Sequence, residues 1–177
     1  MNVPNLLTII RLLLIPFCGY HLYHDRLLPA GIIFVIACVT DLADGYIARK
    51  YHLITGFGKL ADPAADKLLL LTVLFILAVK NRIPMVIPYI VLGKDLIMGI
   101  GGLILLRKKY VVDANKMGKA AAFFFNASVA SIIILKPGKT ITNLLLGFNI
   151  LLMLAALAGY TKRYFKIKEG LAEKAGQ

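Results

Sequence analysis

Six apolar runs, at roughly 6–24, 28–48, 60–79, 83–106, 117–135 and 141–160, take up most of this chain. Each is near the length of about 20 residues that a helix needs to cross a bilayer. Run length and the lack of period-two alternation argue for helices over strands. The connections are too short to hold a separate soluble domain. With 59% hydrophobic and only 17% charged residues, the 177-residue chain lacks the polar surface a soluble domain would show, and its mean hydropathy is +0.79. The expectation is one all-α integral membrane domain of six transmembrane helices over residues 1–160. A basic cytoplasmic tail, 161–177 (TKRYFKIKEGLAEKAGQ), follows and lies on the membrane surface. The first run has no basic segment before it and no small-residue cleavage site after it, so no cleavable signal peptide is expected.

The net charge is +12, and its distribution carries the information. With both termini in the cytoplasm, thirteen Lys and Arg fall inside. Five fall outside (Arg26, Lys80, Arg82, Lys136, Lys139) and three are embedded (Arg11, Lys67, Lys94). A basic excess on one side orients a multi-pass protein, here in the inner (cytoplasmic) membrane. The same charge attracts anionic lipid headgroups, so membrane lipids are expected partners and nucleic acid is not. Cys18 and Cys38 lie within apolar runs and are expected to be small buried hydrophobes.

Against this apolar background stands DLADGYIARKYHLITGFGKLADPAADK, residues 41–67, which holds four of the nine carboxylates. As a helix, Asp41, Asp44, Gly45, Ala48 and Arg49 share one face, at i, i+3, i+4, i+7 and i+8. Gly58, Asp62 and Asp66, four apart, share a face of the next helix. The link between them is short, so the two helices are expected to be antiparallel neighbours with converging acidic faces. Four converging carboxylates do not all stay ionised in a partly dry site unless a cation compensates them. Their hard oxygens suit Mg²⁺, Mn²⁺ or Ca²⁺, and four acids suit two divalent ions. Paired ions of this kind clamp phosphoryl oxygens during in-line displacement. Gly45, Ala48 and Gly58 let a large ligand approach the backbone, and Arg49 and Lys59 add positive charge for a diphosphate. The plainer reading of the same acids is an interhelical ion-pair cluster or a wet vestibule; intramembrane acids are functional by default.

The pattern Asp41-x-x-Asp44-Gly45-x-x-Ala48-Arg49, then eight residues, then Gly58-x-x-x-Asp62-x-x-x-Asp66, resembles the full signature of the CDP-alcohol phosphotransferases. Every fixed position is filled. The resemblance implies a six-helix membrane enzyme, a homodimer, with a cytoplasm-facing active site between helices 2 and 3. It implies transfer of the phosphatidyl group of CDP-diacylglycerol to a polar alcohol, with release of CMP. It also assigns roles: Asp41, Asp44, Asp62 and Asp66 as ligands of two Mg²⁺ or Mn²⁺ ions, with Asp66 also the catalytic base. Gly45, Ala48, Arg49 and Gly58 would line the CDP site.

The opening NVPNLLTIIRLLLIP and the stretch VVDANKMGK resemble the bacterial phosphatidylglycerophosphate synthases of that family, which makes glycerol 3-phosphate the expected acceptor. Asn5, Thr8 and Arg11, three apart, share a helix face, and Asn5 and Thr8 are read as CDP-binding. Lys67, Lys94, Arg107 and Lys119 are candidates for an anionic acceptor. Two positions depart from the synthases. Lys94 stands where Arg is usual, keeping the charge but losing the two-pronged geometry, and Gly102 stands where a further Arg is common. CMP-forming cardiolipin synthases, which use phosphatidylglycerol, share the core motif and are the alternative. A membrane cation or proton transporter is the alternative from another class. Asn126, Ser128, Ser131, Asn143 and Asn149 are expected to bond between helices, and the GIGG run at 99–102 to allow close helix packing.

Overall fold

The computed structural model describes the backbone of residues 3–50, 56–107 and 116–175, with side chains described over 7–43, 64–102, at 104 and over 117–162. Six helices hold these residues: α1 Val3–Tyr23, α2 Leu27–Lys50, α3 Gly56–Val79, α4 Val86–Arg107, α5 Lys116–Leu135 and α6 Lys139–Ala175. Each apolar run has become a helix, and no strand occurs among the described residues. Met117–Leu135 and Lys139–Lys162 are long and apolar enough to cross a membrane, by length and composition; Leu7–Tyr23 and Leu27–Ala43 are shorter apolar stretches. The last apolar span, Lys139–Lys162, matches the sixth run, and the helix that holds it continues through the basic segment to Ala175. The added segment is rich in Lys, with Glu and Ala beside it, all strong helix formers. What changes at 160 is polarity, and a hydropathy boundary is no helix stop.

The turns at one end of the bundle have a common construction. At the end of α1 the Arg26 amide donates to the His21 carbonyl at 2.9 Å and the Asp25 amide to Leu22 at 3.2 Å. At the end of α3 the Arg82 amide donates to Leu77 and the Asn81 amide to Ala78, both at 2.9 Å. These are paired six-to-one and five-to-two caps with a left-handed residue between them. Asp25 (φ 57°) and Asn81 (φ 55°) take that position. Their short polar side chains suit the left-handed region best after glycine. Lys136 (φ 49°) holds the same conformation between α5 and α6.

Helix α1 packs extensively along both α2 and α3, α5 packs against α6 and α2, and α3 against α4. Among the described residues α2 and α3 touch only lightly. Helix α1 lies against both, so α1, α2 and α3 form one three-helix group. Leu22, Phe34, Leu69, Val73, Leu74, Leu77, Val129, Ile133 and Leu146 form the buried core. In lipid, helices gain little from hiding apolar surface, so close packing and interhelical hydrogen bonds carry the association. Gly31 is one such close approach: a Cβ there would lie 2.5 Å from Ile134 Cγ1 and 3.2 Å from Ile133 Cγ2 of α5. Asn149 Nδ2 donates to Ser128 Oγ at 2.8 Å, joining α6 to α5, whereas Ser131 bonds within its own helix, to the Ala127 carbonyl. Cys18 is buried, Cys38 half-buried, and both are free thiols. Leu13, Phe17, Leu28, Ile97, Leu144 and Leu151 point outward, each about 60% exposed or more. So broad an apolar exterior suits hydrocarbon rather than water.

Candidate active site

The acidic motif spans the second half of α2 and the first half of α3. The side chains of Asp41 and Asp66 are described. Those of Asp44, Gly45, Ala48, Arg49, Gly58 and Asp62 lie outside the described residues, although their backbones belong to α2 and α3. Asn5 in α1 and Arg107 at the end of α4 likewise lie outside the described side chains.

Arg11 on α1 reaches the start of the motif. Its guanidinium is completely buried, and its Nη1 lies 2.9 Å from Asp41 Oδ1 on α2. Asp41 keeps a third of its side chain exposed (33%). The Arg11 charge also acts on Asp66 on α3, and Asp41 and Asp66 both act on the thiol of Cys38. One cation from α1 thus serves acids from two helices. A buried guanidinium needs such partners, because an unpaired charge in an apolar interior is very costly. Thr8, one turn before Arg11, is fully buried.

From Asp66 the site opens into a cavity of about 460 Å³ between α3, α4, α5 and α6. Asp66, Lys67, Lys94, Asp95, Lys119, Asn126 and Tyr160 give it polar walls. Leu70, Val91, Met98, Phe125 and Met153 supply apolar ones. Three of the four lysine and arginine candidates, Lys67, Lys94 and Lys119, therefore share a cavity with Asp66. Lys94 Nζ lies 2.7 Å from Asp95 Oδ1 and Lys67 Nζ 4.0 Å from the same oxygen. Asp95 thus holds two lysines toward one side of the cavity. Tyr160 stands on α6 against the glycines of α4. A Cβ on Gly101 would lie 3.6 Å from its Oη, and one on Gly102 3.8 Å.

The donor chemistry of the motif fits a hard divalent cation: four carboxylates, no sulfur or imidazole among the motif acids, and at least one, Asp41, partly open. Among the described residues no group of three His, Cys, Asp or Glu gathers, and two of the four motif acids are not among those residues. The Arg11–Asp41 pair and the contribution of Tyr160 were not apparent from sequence. The sequence puts Arg11 on one polar face with Asn5 and Thr8, turned toward the nucleotide, but gives it no acidic partner, and Tyr160 sits at an apolar-to-basic border with no motif around it.

Residues 1–160 match the family described as CDP-alcohol phosphatidyltransferase. A CDP-diacylglycerol–glycerol-3-phosphate 3-phosphatidyltransferase of Aquifex aeolicus is 32% identical, over 94% of this chain and 98% of its own. The protein of the same description from Rickettsia felis is 35% identical, over 93% and 94%. A cardiolipin synthase (CMP-forming)/mitochondrial hydrolase fusion protein of Schizosaccharomyces pombe is 39% identical, over 55% of this chain and 16% of its own. With a match that covers most of its length and relatives that align nearly end to end, this chain belongs to the CDP-alcohol phosphatidyltransferase family.

Proposed function

We propose that this protein transfers the phosphatidyl group of CDP-diacylglycerol to the hydroxyl of glycerol 3-phosphate, giving phosphatidylglycerophosphate and CMP. The observation that carries the reading is the cavity that joins Asp66 to three lysines, in a chain with the complete family motif. The acceptor is a small dianion with a hydroxyl, so it needs cationic groups beside a proton acceptor. Lys67, Lys94 and Lys119 meet the first need and Asp66 the second. The near full-length relatives, described as acting on the same substrates, support it further.

In this reading Asp66 takes the proton from the acceptor hydroxyl. The oxygen attacks the lipid-bearing phosphorus as the bond to the CMP oxygen breaks. A carboxylate within reach of the hydroxyl is useful because an alcohol is a poor nucleophile until it loses its proton. The remaining demand is mostly positioning. Asp41, Asp44, Asp62 and Asp66 would hold two Mg²⁺ or Mn²⁺ ions, which when bound neutralise the diphosphate oxygens. Asn5, Thr8, Gly45, Ala48, Arg49 and Gly58 would receive the CDP moiety, and Arg107 would add charge for the acceptor. The same reading places six spans in the inner membrane, both termini and the site on the cytoplasmic side, and two copies in a homodimer. The charge asymmetry and the apolar exterior support that topology.

The test is CMP release by purified protein given CDP-diacylglycerol, Mg²⁺ and separate alcohols. Glycerol 3-phosphate should yield phosphatidylglycerophosphate, EDTA should abolish release, and Asp66→Asn should slow it by at least about 10²-fold. Cardiolipin from phosphatidylglycerol, with no product from glycerol 3-phosphate, would move the assignment to cardiolipin synthase.

A further inference from the structure

Asp95 is the second carboxylate on the cavity wall, and it lies outside the four-acid motif. Only 12% of its side chain is exposed, and one of its oxygens meets two lysines. Lys94 Nζ lies 2.7 Å from Oδ1, and Lys67 Nζ, arriving from α3, lies 4.0 Å from it. Lys94 and Asp95 are consecutive in α4. Consecutive residues of a helix point about 100° apart and do not face each other. The Lys94 stem therefore bends round to reach Asp95, which brings its ammonium to the side that Lys67 occupies. Two ammonium groups repel, and each stands on a flexible four-carbon stem. Without a carboxylate between them the pair would spread, and gathering it around a ligand would cost rotamer freedom. Asp95 offsets the repulsion and holds both groups in advance.

We propose that Asp95 is a positioning residue for the acceptor: it gathers Lys67 and Lys94 into one site for the phosphate of a phosphorylated alcohol. This rests on the function proposed above. Asp95 acts through the lysines and does not itself meet the acceptor. Its negative charge opposes a phosphate, but two lysines outweigh one carboxylate, and Lys119 adds a third cation from α5. The gain is geometric. Two ammonium groups beside one point can each donate to a different oxygen of one phosphate, and such charge-assisted hydrogen bonds are strong. The phosphate end is then fixed, and the hydroxyl end is left to reach Asp66 on the same cavity wall.

The test is a mutant cycle read in steady-state kinetics. Asp95→Asn keeps the size of the side chain and removes its charge. The KM for glycerol 3-phosphate should rise about tenfold, the scale of one hydrogen bond to a charged group. The inhibition constant of inorganic phosphate, competing with glycerol 3-phosphate, should rise by the same factor. The KM for CDP-diacylglycerol should not move, a split that general loss of structure would not give. Asp95→Glu, which keeps the charge, should recover most of the loss. The cycle closes with Asp95→Asn added to the Lys67→Gln/Lys94→Gln protein, where it should change neither constant further. That arm leaves no lysine of the pair without its partner, so it stands even if Asp95→Asn alone folds poorly. A KM for glycerol 3-phosphate that is unchanged or falls in Asp95→Asn, or a further rise in the Lys67→Gln/Lys94→Gln background, overturns the positioning role. Wild type that releases no CMP with glycerol 3-phosphate overturns the proposed function, and this inference with it.

Discussion

Arg11 and Asp41 form an unequal pair. The guanidinium is fully buried while the carboxylate is a third exposed. Removing the partner of a buried charge costs far more than removing the partner of a hydrated one. In metal-free protein, Asp41→Asn removes the 2.9 Å ion pair of a fully buried guanidinium and should lower stability by about 3 kcal/mol. Arg11→Leu leaves a carboxylate that water can reach and should cost less. Thermal unfolding in detergent with EDTA ranks the two, and the reverse order would show that Arg11 draws its main support from elsewhere. The acids themselves were legible in the sequence, because four carboxylates at helical spacing in an apolar chain have few structural explanations. Their partner was not. Arg11 lies thirty positions before Asp41, and no periodicity within one helix joins residues on two. Tyr160 was hidden for the same reason, since its neighbours Gly101 and Gly102 belong to another helix.

At the scale of elements, apolar run length located all six helices, because hydropathy and helical length are both local properties. It could not show that α6 continues past its apolar span, because polarity changes there and helicity does not. It also missed that α1 lies against both α2 and α3, which depends on shape matching across helices. The turns show how two helix pairs are tied. Lys80 Nζ donates to Asp25 Oδ2 at 2.9 Å and Arg82 Nη2 to Asp25 Oδ1 at 3.2 Å, so the cap of α1 is bound to that of α3. The hydrogen bonds from Lys80, then Arg82, hold the Asp25 carboxyl below its ordinary value of 3.8. A carboxyl with a lowered native value contributes stability above its unfolded value, and loses it as pH falls through the native one. The stability difference between wild type and Asp25→Asn should therefore be present at neutral pH and vanish in strong acid. It should be small, since the group is exposed and screened. Unfolding of both proteins from pH 6 downward checks it; a difference that grows with acid contradicts the tie.

For the whole molecule, the alternation of six helices places the turns at Asp25, Asn81 and Lys136 at one end. The packing of Gly31, near the start of α2, against Ile133 and Ile134, near the end of α5, agrees with this. In the proposed topology that end carries five basic residues and the cytoplasmic side thirteen, so the sparse end should face outward. Single cysteines make the topology measurable. Met85, in the turn before α4, is exposed, and a Cβ on Gly138, before α6, would meet nothing within 4 Å. Thr161 is exposed near the other end. The native thiols are a quiet background, because Cys18 is buried and Cys38 half-buried within apolar helices. In intact cells a membrane-impermeant maleimide should label Met85→Cys and Gly138→Cys, and should label Thr161→Cys only after permeabilisation. Labelling of Thr161→Cys alone would invert the orientation and put the acidic motif outside, away from cytoplasmic nucleotide. Labelling of Met85→Cys and Gly138→Cys from opposite sides would break the six-span count itself, since α4 and α5 separate them and two crossings must return the chain to the side it left.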